Sequence, residues 1–337
     1  MTISYVNQRD MKLDFMRALG TLTIILPHVL APDIMIQLRT FDVVMLVFVS
    51  GMSYAYQSMA GDTPDYWLYV KKRLKKLLLP TFILIFIVFF SMNAVSLALS
   101  KGLYFNISDL CCSLLLFEDG IGYVWIIKVY IGMAIVAPFV WKVINRLDND
   151  VMFFGLCGLI YLIYRCIWGV TQLVSVPVIS TILEEYVFYI LSYMIPFAIG
   201  MYLYAHKGRK TINLLFILLF IIVQALVVTQ GGGFEPNLHK YPPEIYYLTY
   251  GIACSLIIYR VAPVKINKPI MWLSKNSLSF YLTHVFWVIS LSAMANSLHI
   301  EIISIFWIKF IIVVILTTVT VLVMDKIKIC YKRYKRI

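Results

Sequence analysis

Residues 13–30 read LDFMRALGTLTIILPHVL, an apolar run with Asp14 and Arg17 near its start and His28, directly after Pro27, near its end. Its length and hydropathy mark a membrane-spanning segment, which needs about 20 mostly apolar residues. Charge in hydrocarbon costs roughly 2.5–3.5 kcal/mol per residue on insertion scales, so ionisable groups there turn toward a bundle interior or a wet cavity. On a continuous α-helix, the step from Arg17 to His28 ends about 20° past three full turns. Both side chains then share one face, roughly 16 Å apart along the axis. Asp14 falls on the same side and is expected to pair with Arg17. Pro27 frees a carbonyl one turn earlier and is expected to kink the helix at His28. The plainer readings are a snorkelling arginine held by Asp14 and a buried histidine bonded to a neighbouring helix.

The rest of the chain has the same character. Of its 337 residues, 61% are hydrophobic and 14% charged, and the mean hydropathy is +0.86. That excludes a soluble globular protein and points to an all-α, polytopic membrane bundle forming one domain over 1–337. Ten segments are apolar enough to span: 13–31, 41–60, 77–99, 122–144, 151–170, 186–205, 211–229, 245–262, 276–296 and 302–324. The first is expected to stay as a span and not to be cleaved as a signal peptide. The short apolar stretch 103–117 suits an interfacial or re-entrant helix, and the Gly/Pro-rich loop 229–244 is expected to be flexible.

The net charge of +12 is explained by where the cations fall. With the N-terminus in the cytoplasm, the outer loops hold only Arg39, Lys101 and Lys240, and the spans hold Arg17, Lys128, Arg165 and Lys309. The other 22 of the 29 basic residues face inward. This asymmetry follows the positive-inside rule, predicts two cytoplasmic termini, and directs the charge at membrane lipids and an anionic cytosolic ligand, with no nucleic acid involved. The six cysteines show no metal or redox spacing and read as small apolar residues; no metal is expected.

Further stretches, in order, extend the pattern of the first span: FDVVMLVFVSGMSY (41–54) with Ser50–Gly51, YVKKRLKKLLLPTF (69–82) with Arg73, Lys76 and Pro80, YVWIIKVYIGMAIVAPFVW (123–141) with Trp125, Tyr130 and Pro138, and SLSFYLTHVF (277–286) with Tyr281 and His284. Together with the Arg17–His28 spacing they resemble the acyltransferase-3 family of integral-membrane acyltransferases over about residues 12–290. The resemblance implies transfer of an acyl group, usually acetyl from acetyl-CoA or another acyl-CoA as co-substrate, to a hydroxyl of a cell-envelope polysaccharide or lipid-linked sugar. It also implies a place in a bacterial inner or plasma membrane. The sequence departs from the family in having lysines at 72, 75 and 76 where arginines are common; lysine keeps the point charge but lacks the planar fork.

These expectations assign roles. His28 is the candidate general base, since a neutral imidazole suits proton transfer near pH 7, with Arg17 as donor anchor and Asp14 as its partner. Arg73, Lys75 and Lys76 are candidates for the CoA phosphates, with Tyr281 and His284 on the donor side. Ser50, or a backbone N–H near Gly51, is a candidate oxyanion contact. Lys128, Arg165, Asp42, Trp125 and Tyr130 are candidates for an outward acceptor cavity. A transporter or flippase of a glycan or lipid-linked sugar is the alternative, because the same buried charges would line a path.

Overall fold

Asp10 starts the first helix by accepting a hydrogen bond from the backbone N–H of Lys12 at 3.0 Å, and α1 (Met11–Thr23) runs only thirteen residues. Pro27 has no N–H to offer the carbonyl of Thr23 and disfavours α geometry at Leu26. The chain accordingly tightens before it: Ile25 N–H bonds to Leu22 O and His28 N–H to Ile25 O. A 3-10 turn, Leu26–Val29, carries His28. The wheel argument for a continuous helix therefore fails between Thr23 and His28, and the rotation and rise derived from it do not apply. The structure is a computed structural model describing residues 9–61, 65–173, 177–206 and 210–334, all helix, turn or loop with no strand among them.

Thirteen further helices follow: α2 (Asp33–Arg39), α3 (Asp42–Met59), α4 (Tyr66–Ala98), α5 (Ile107–Leu114), α6 (Ile126–Ile144), α7 (Asp150–Thr171), α8 (Pro177–Ile182), α9 (Phe188–Ala205), α10 (Lys210–Thr229), α11 (Ile245–Val261), α12 (Lys268–Lys275), α13 (Ser277–Leu298) and α14 (Phe306–Tyr334). A helix lies on each of the ten expected spans, and the eight-residue α5 lies within 103–117. Seven helical stretches are long and apolar enough to cross a membrane; the apolar helices Leu214–Thr229 and Ile245–Val261 are shorter. The chain is thus a polytopic helical membrane protein.

The core is built on α3 and α9, which cross at two glycines. A Cβ at Gly51 would overlap the carbonyl oxygen of Phe197, and one at Gly200 that of Phe48. Small residues let transmembrane backbones approach to this distance. Away from that crossing, large apolar side chains point outward, including Phe86 and Phe90 of α4, Leu162 of α7 and Ile311 of α14. Such a surface suits lipid.

Two local departures matter for function. Helix α4 begins eleven residues before the expected span, because Asp65 caps it by accepting from Leu68 N–H at 3.0 Å, and the basic stretch continues the helix down to Pro80. The loop 229–244, expected to be flexible, forms a 3-10 turn at Pro236–His239 and folds back onto α2. There the Asn237 N–H donates to Gln37 Oε1 at 2.9 Å, and Lys240 is buried.

Candidate active site

Extending α4 upstream fixes which of its basic residues point inward. Tyr69, Arg73, Lys76, Leu77 and Pro80 recur at helical spacing and line one wall of a cavity of about 670 Å³, within the range of small-molecule and cofactor sites. Lys75 lies off that face, exposed, and is not part of the wall. The remaining walls come from α1, α3, α6, the α12–α13 junction and α14. Six cations line the cavity, Arg9, Arg17, Arg73, Lys76, Lys275 and Lys328, and none of its described lining residues is a carboxylate. Ser50, Tyr130 and Tyr281 are on its wall as well. A low-dielectric cleft lined by one sign of charge concentrates ligands of the other sign.

Arg17 is held in place from two sides. Its Nη1 donates to Asp14 Oδ1 at 3.2 Å and its Nη2 to Ser53 Oγ. Asp14 is 1% exposed and also accepts from Arg9 Nη2 at 2.9 Å and from Ser274 Oγ at 2.7 Å. It therefore pins α12 to α1 while orienting two guanidinium groups. Gly51, by contrast, has its N–H in the hydrogen-bonded interior of α3 and its Cα against α9, so it offers packing and no oxyanion contact. Ser50 is the member of that pair with access to the cavity.

At the end of the cavity stands Tyr281. Its hydroxyl donates to the carbonyl of Tyr123, and its ring centroid is 5.4 Å from that of His284. Tyr123 packs edge-on against His28 with centroids 4.2 Å apart, and the two imidazoles are 5.6 Å apart, tilted by 34°. Neither imidazole lies on the cavity wall; Tyr281 touches both the cavity and the imidazole pair. The structure thus brings Arg17, Asp14, Arg73, Lys76, Ser50, Tyr130, Tyr281, His284 and His28 into one continuous region.

The other expected residues form a separate polar layer. Asp42 is fully buried and accepts from Arg39 Nη1 and from its own helix at Val43 N–H, both at 2.7 Å. Lys128 is paired with Glu185, which a π turn, Leu183–Val187, presents to it, and its ammonium sits 4.4 Å from the Tyr189 ring centroid. Trp125 packs against Tyr189, Tyr193 and Tyr241. Arg165 lies by Glu244 at 3.6 Å and over Trp168, among loop residues.

Sequence reasoning missed Lys240. Its ammonium lies 5.2 Å from the Trp125 ring centroid and 5.0 Å from that of Tyr241, and burial pushes its pKa down to about 8. Its standing as an exception to the charge asymmetry was the available signal. Ser53 and Ser274 were also missed; Ser53, one helical turn after Ser50, was legible as a second hydroxyl on that face. Among the described residues no three His, Cys, Asp or Glu side chains group as a metal site.

A family model described as an acyltransferase domain, acyltransferase 3, matches residues 11–326. No curated protein matches the chain significantly, and no solved structure does.

Proposed function

Since the chain belongs to the acyltransferase-3 family, we propose that it takes an acyl group, acetyl in the simplest case, from cytosolic acyl-CoA and passes it to a hydroxyl of an envelope polysaccharide or lipid-linked sugar. The observation that carries this reading is the cavity with six cations and no carboxylate on its wall, ending at Tyr281 beside His28 and His284. A polyanionic nucleotide with a thin thioester arm fits those two properties together.

The roles follow from position. Arg17, Arg73 and Lys76 hold phosphate oxygens, Arg17 with its guanidinium preset by Asp14 and Ser53. Ser50 donates to the oxygen that gains charge as the carbonyl is attacked. His28 takes the proton of the acceptor hydroxyl as its oxygen bonds to the acyl carbon, then returns it to the departing sulfur. Trp125, with Lys240 against its ring, and the Arg39–Asp42 and Lys128–Glu185 pairs supply a stacking face and polar contacts for a sugar on the other side. Arg165 stands at the rim of that layer.

Donor binding is read first by heat. A ligand present at 100 times its Kd stabilises the folded state by about 2.7 kcal/mol, so CoA is expected to raise the melting temperature of the purified protein by several degrees. Transfer of label from [14C]acetyl-CoA to a glycan fraction tests the chemistry; CoA binding with no transfer, or no response to CoA at all, rejects the reading. Hydrogen bonds to charged groups contribute about 1.5–3 kcal/mol. Arg17→Ala is therefore expected to raise the KM for acyl-CoA at least about tenfold, and an unchanged KM ends its assignment as the donor anchor. Within α4, Arg73→Ala is expected to weaken CoA binding about tenfold, while Lys75→Ala leaves it within about twofold. Equal effects of the two would place the donor elsewhere.

A further inference from the structure

His284 is fully buried in α13, and its Nδ1 lies against the backbone carbonyl of Tyr281. A carbonyl only accepts, so Nδ1 carries the ring proton and Nε2 keeps a lone pair. That Nε2 is buried and has no hydrogen-bond partner among the described residues, a state that native interiors rarely leave unexplained. Two rings flank His284, those of Tyr281 and His28. The Tyr281 hydroxyl is already committed to the Tyr123 carbonyl. The His28 imidazole N–H is the donor that remains in this group, and the edge-on Tyr123 ring holds His28 beside it.

We propose that His284 is a positioning residue that accepts the ring N–H of His28 at Nε2 and so fixes the tautomer of His28. The second nitrogen of His28 then carries the lone pair that faces the acceptor hydroxyl. This rests on the acyltransferase reading and deepens it. In the step, the acceptor O–H bond breaks and an N–H bond forms on His28 while the oxygen bonds to the acyl carbon. The C–S bond breaks with its electron pair on sulfur, and the proton returns from His28 to that sulfur. His284 gains and loses nothing; it steadies the transient imidazolium through the shared hydrogen bond, as the buried partner does in hydrolase triads.

The test uses the full-length protein in membrane vesicles carrying their native glycans, with [14C]acetyl-CoA as the probe, and 15N-histidine spectra of the purified protein. His284→Leu is expected to lower kcat about 100-fold with the KM for acetyl-CoA within twofold, and to turn the single tautomer of His28 into a mixture. His284→Gln, whose side-chain oxygen also accepts, is expected to recover kcat to within about tenfold of wild type and to restore the single tautomer. The proposal is overturned if His284→Leu keeps kcat within threefold, if KM rises in step with the loss, if Gln performs no better than Leu at equal folded protein, or if the His28 tautomer is the same in all three. Wild-type protein that transfers no label overturns the acyltransferase reading instead, and the spectra then still decide whether the two rings are paired.

Discussion

His28→Ala is expected to lower acyl transfer by at least about 10³-fold while leaving CoA binding intact. A positioned general base contributes about 10²–10⁴ in rate, and alanine offers no proton acceptor. The cations that would hold the donor lie on the cavity wall, whereas His28 lies beyond Tyr281, next to Tyr123 and His284. Removal of the ring should therefore leave the CoA-induced rise in melting temperature within a degree of wild type. Direct transfer and an acyl-histidine relay both require this residue. They part in a quench experiment with [14C]acetyl-CoA and no acceptor, in which only the relay leaves label on the protein. Near-normal transfer by His28→Ala removes the proposed base, and loss of transfer together with the CoA response would show that the ring serves the donor site.

What could be read from the chain alone was set by local physics. Hydropathy located a helix at each of the ten expected places, because length and apolarity decide spanning segments without reference to partners. The Asp14–Arg17 pair was legible from its i, i+3 spacing and is present at 3.2 Å. Hydropathy could not see that α4 begins at Tyr66, since its basic first turns are helical without being apolar, and so the inward face of Arg73 and Lys76 was separated from Lys75 only by the fold. Pro27 was recognised as a breaker, but the retreat into a 3-10 turn from Ile24 onward depends on neighbours that replace the lost helical bonds. The hydrogen bonds of Arg17 to Ser53 and of Asp14 to Ser274 join residues 36 and 260 positions apart. No periodicity announces contacts at such separations. Lys240 was hidden for the same reason: its loop reads as glycine- and proline-rich linker until Gln37 and Trp125 are placed beneath it.

Gly51→Leu and Gly200→Leu are each expected to abolish recovery of monodisperse protein, with Gly51→Ala folding at a clearly lower melting temperature. The group that a new Cβ meets at either site is a backbone carbonyl of the facing helix, which cannot rotate away as a side-chain tip can. The helices must separate, and overpacking of a well-packed core typically costs about 1–3 kcal/mol and at times more. Separation also reaches the proposed chemistry: α3 carries Ser53, which holds Arg17, and α9 carries Phe197 on the cavity wall. Gly51→Ala that folds should therefore also lose affinity for CoA. Gly155 and Gly158 on α7 provide the control, since a Cβ at either meets nothing within 4 Å. Alanine there is expected to be neutral or stabilising, as glycine costs a helix interior about 0.8–1.0 kcal/mol relative to alanine. Size-exclusion profiles and thermal melts of the five variants in one detergent decide the matter. A Gly51→Leu protein that melts with wild type would mean that α3 and α9 do not cross at this distance, and the placement of Ser53 beside Arg17 would fall with that crossing.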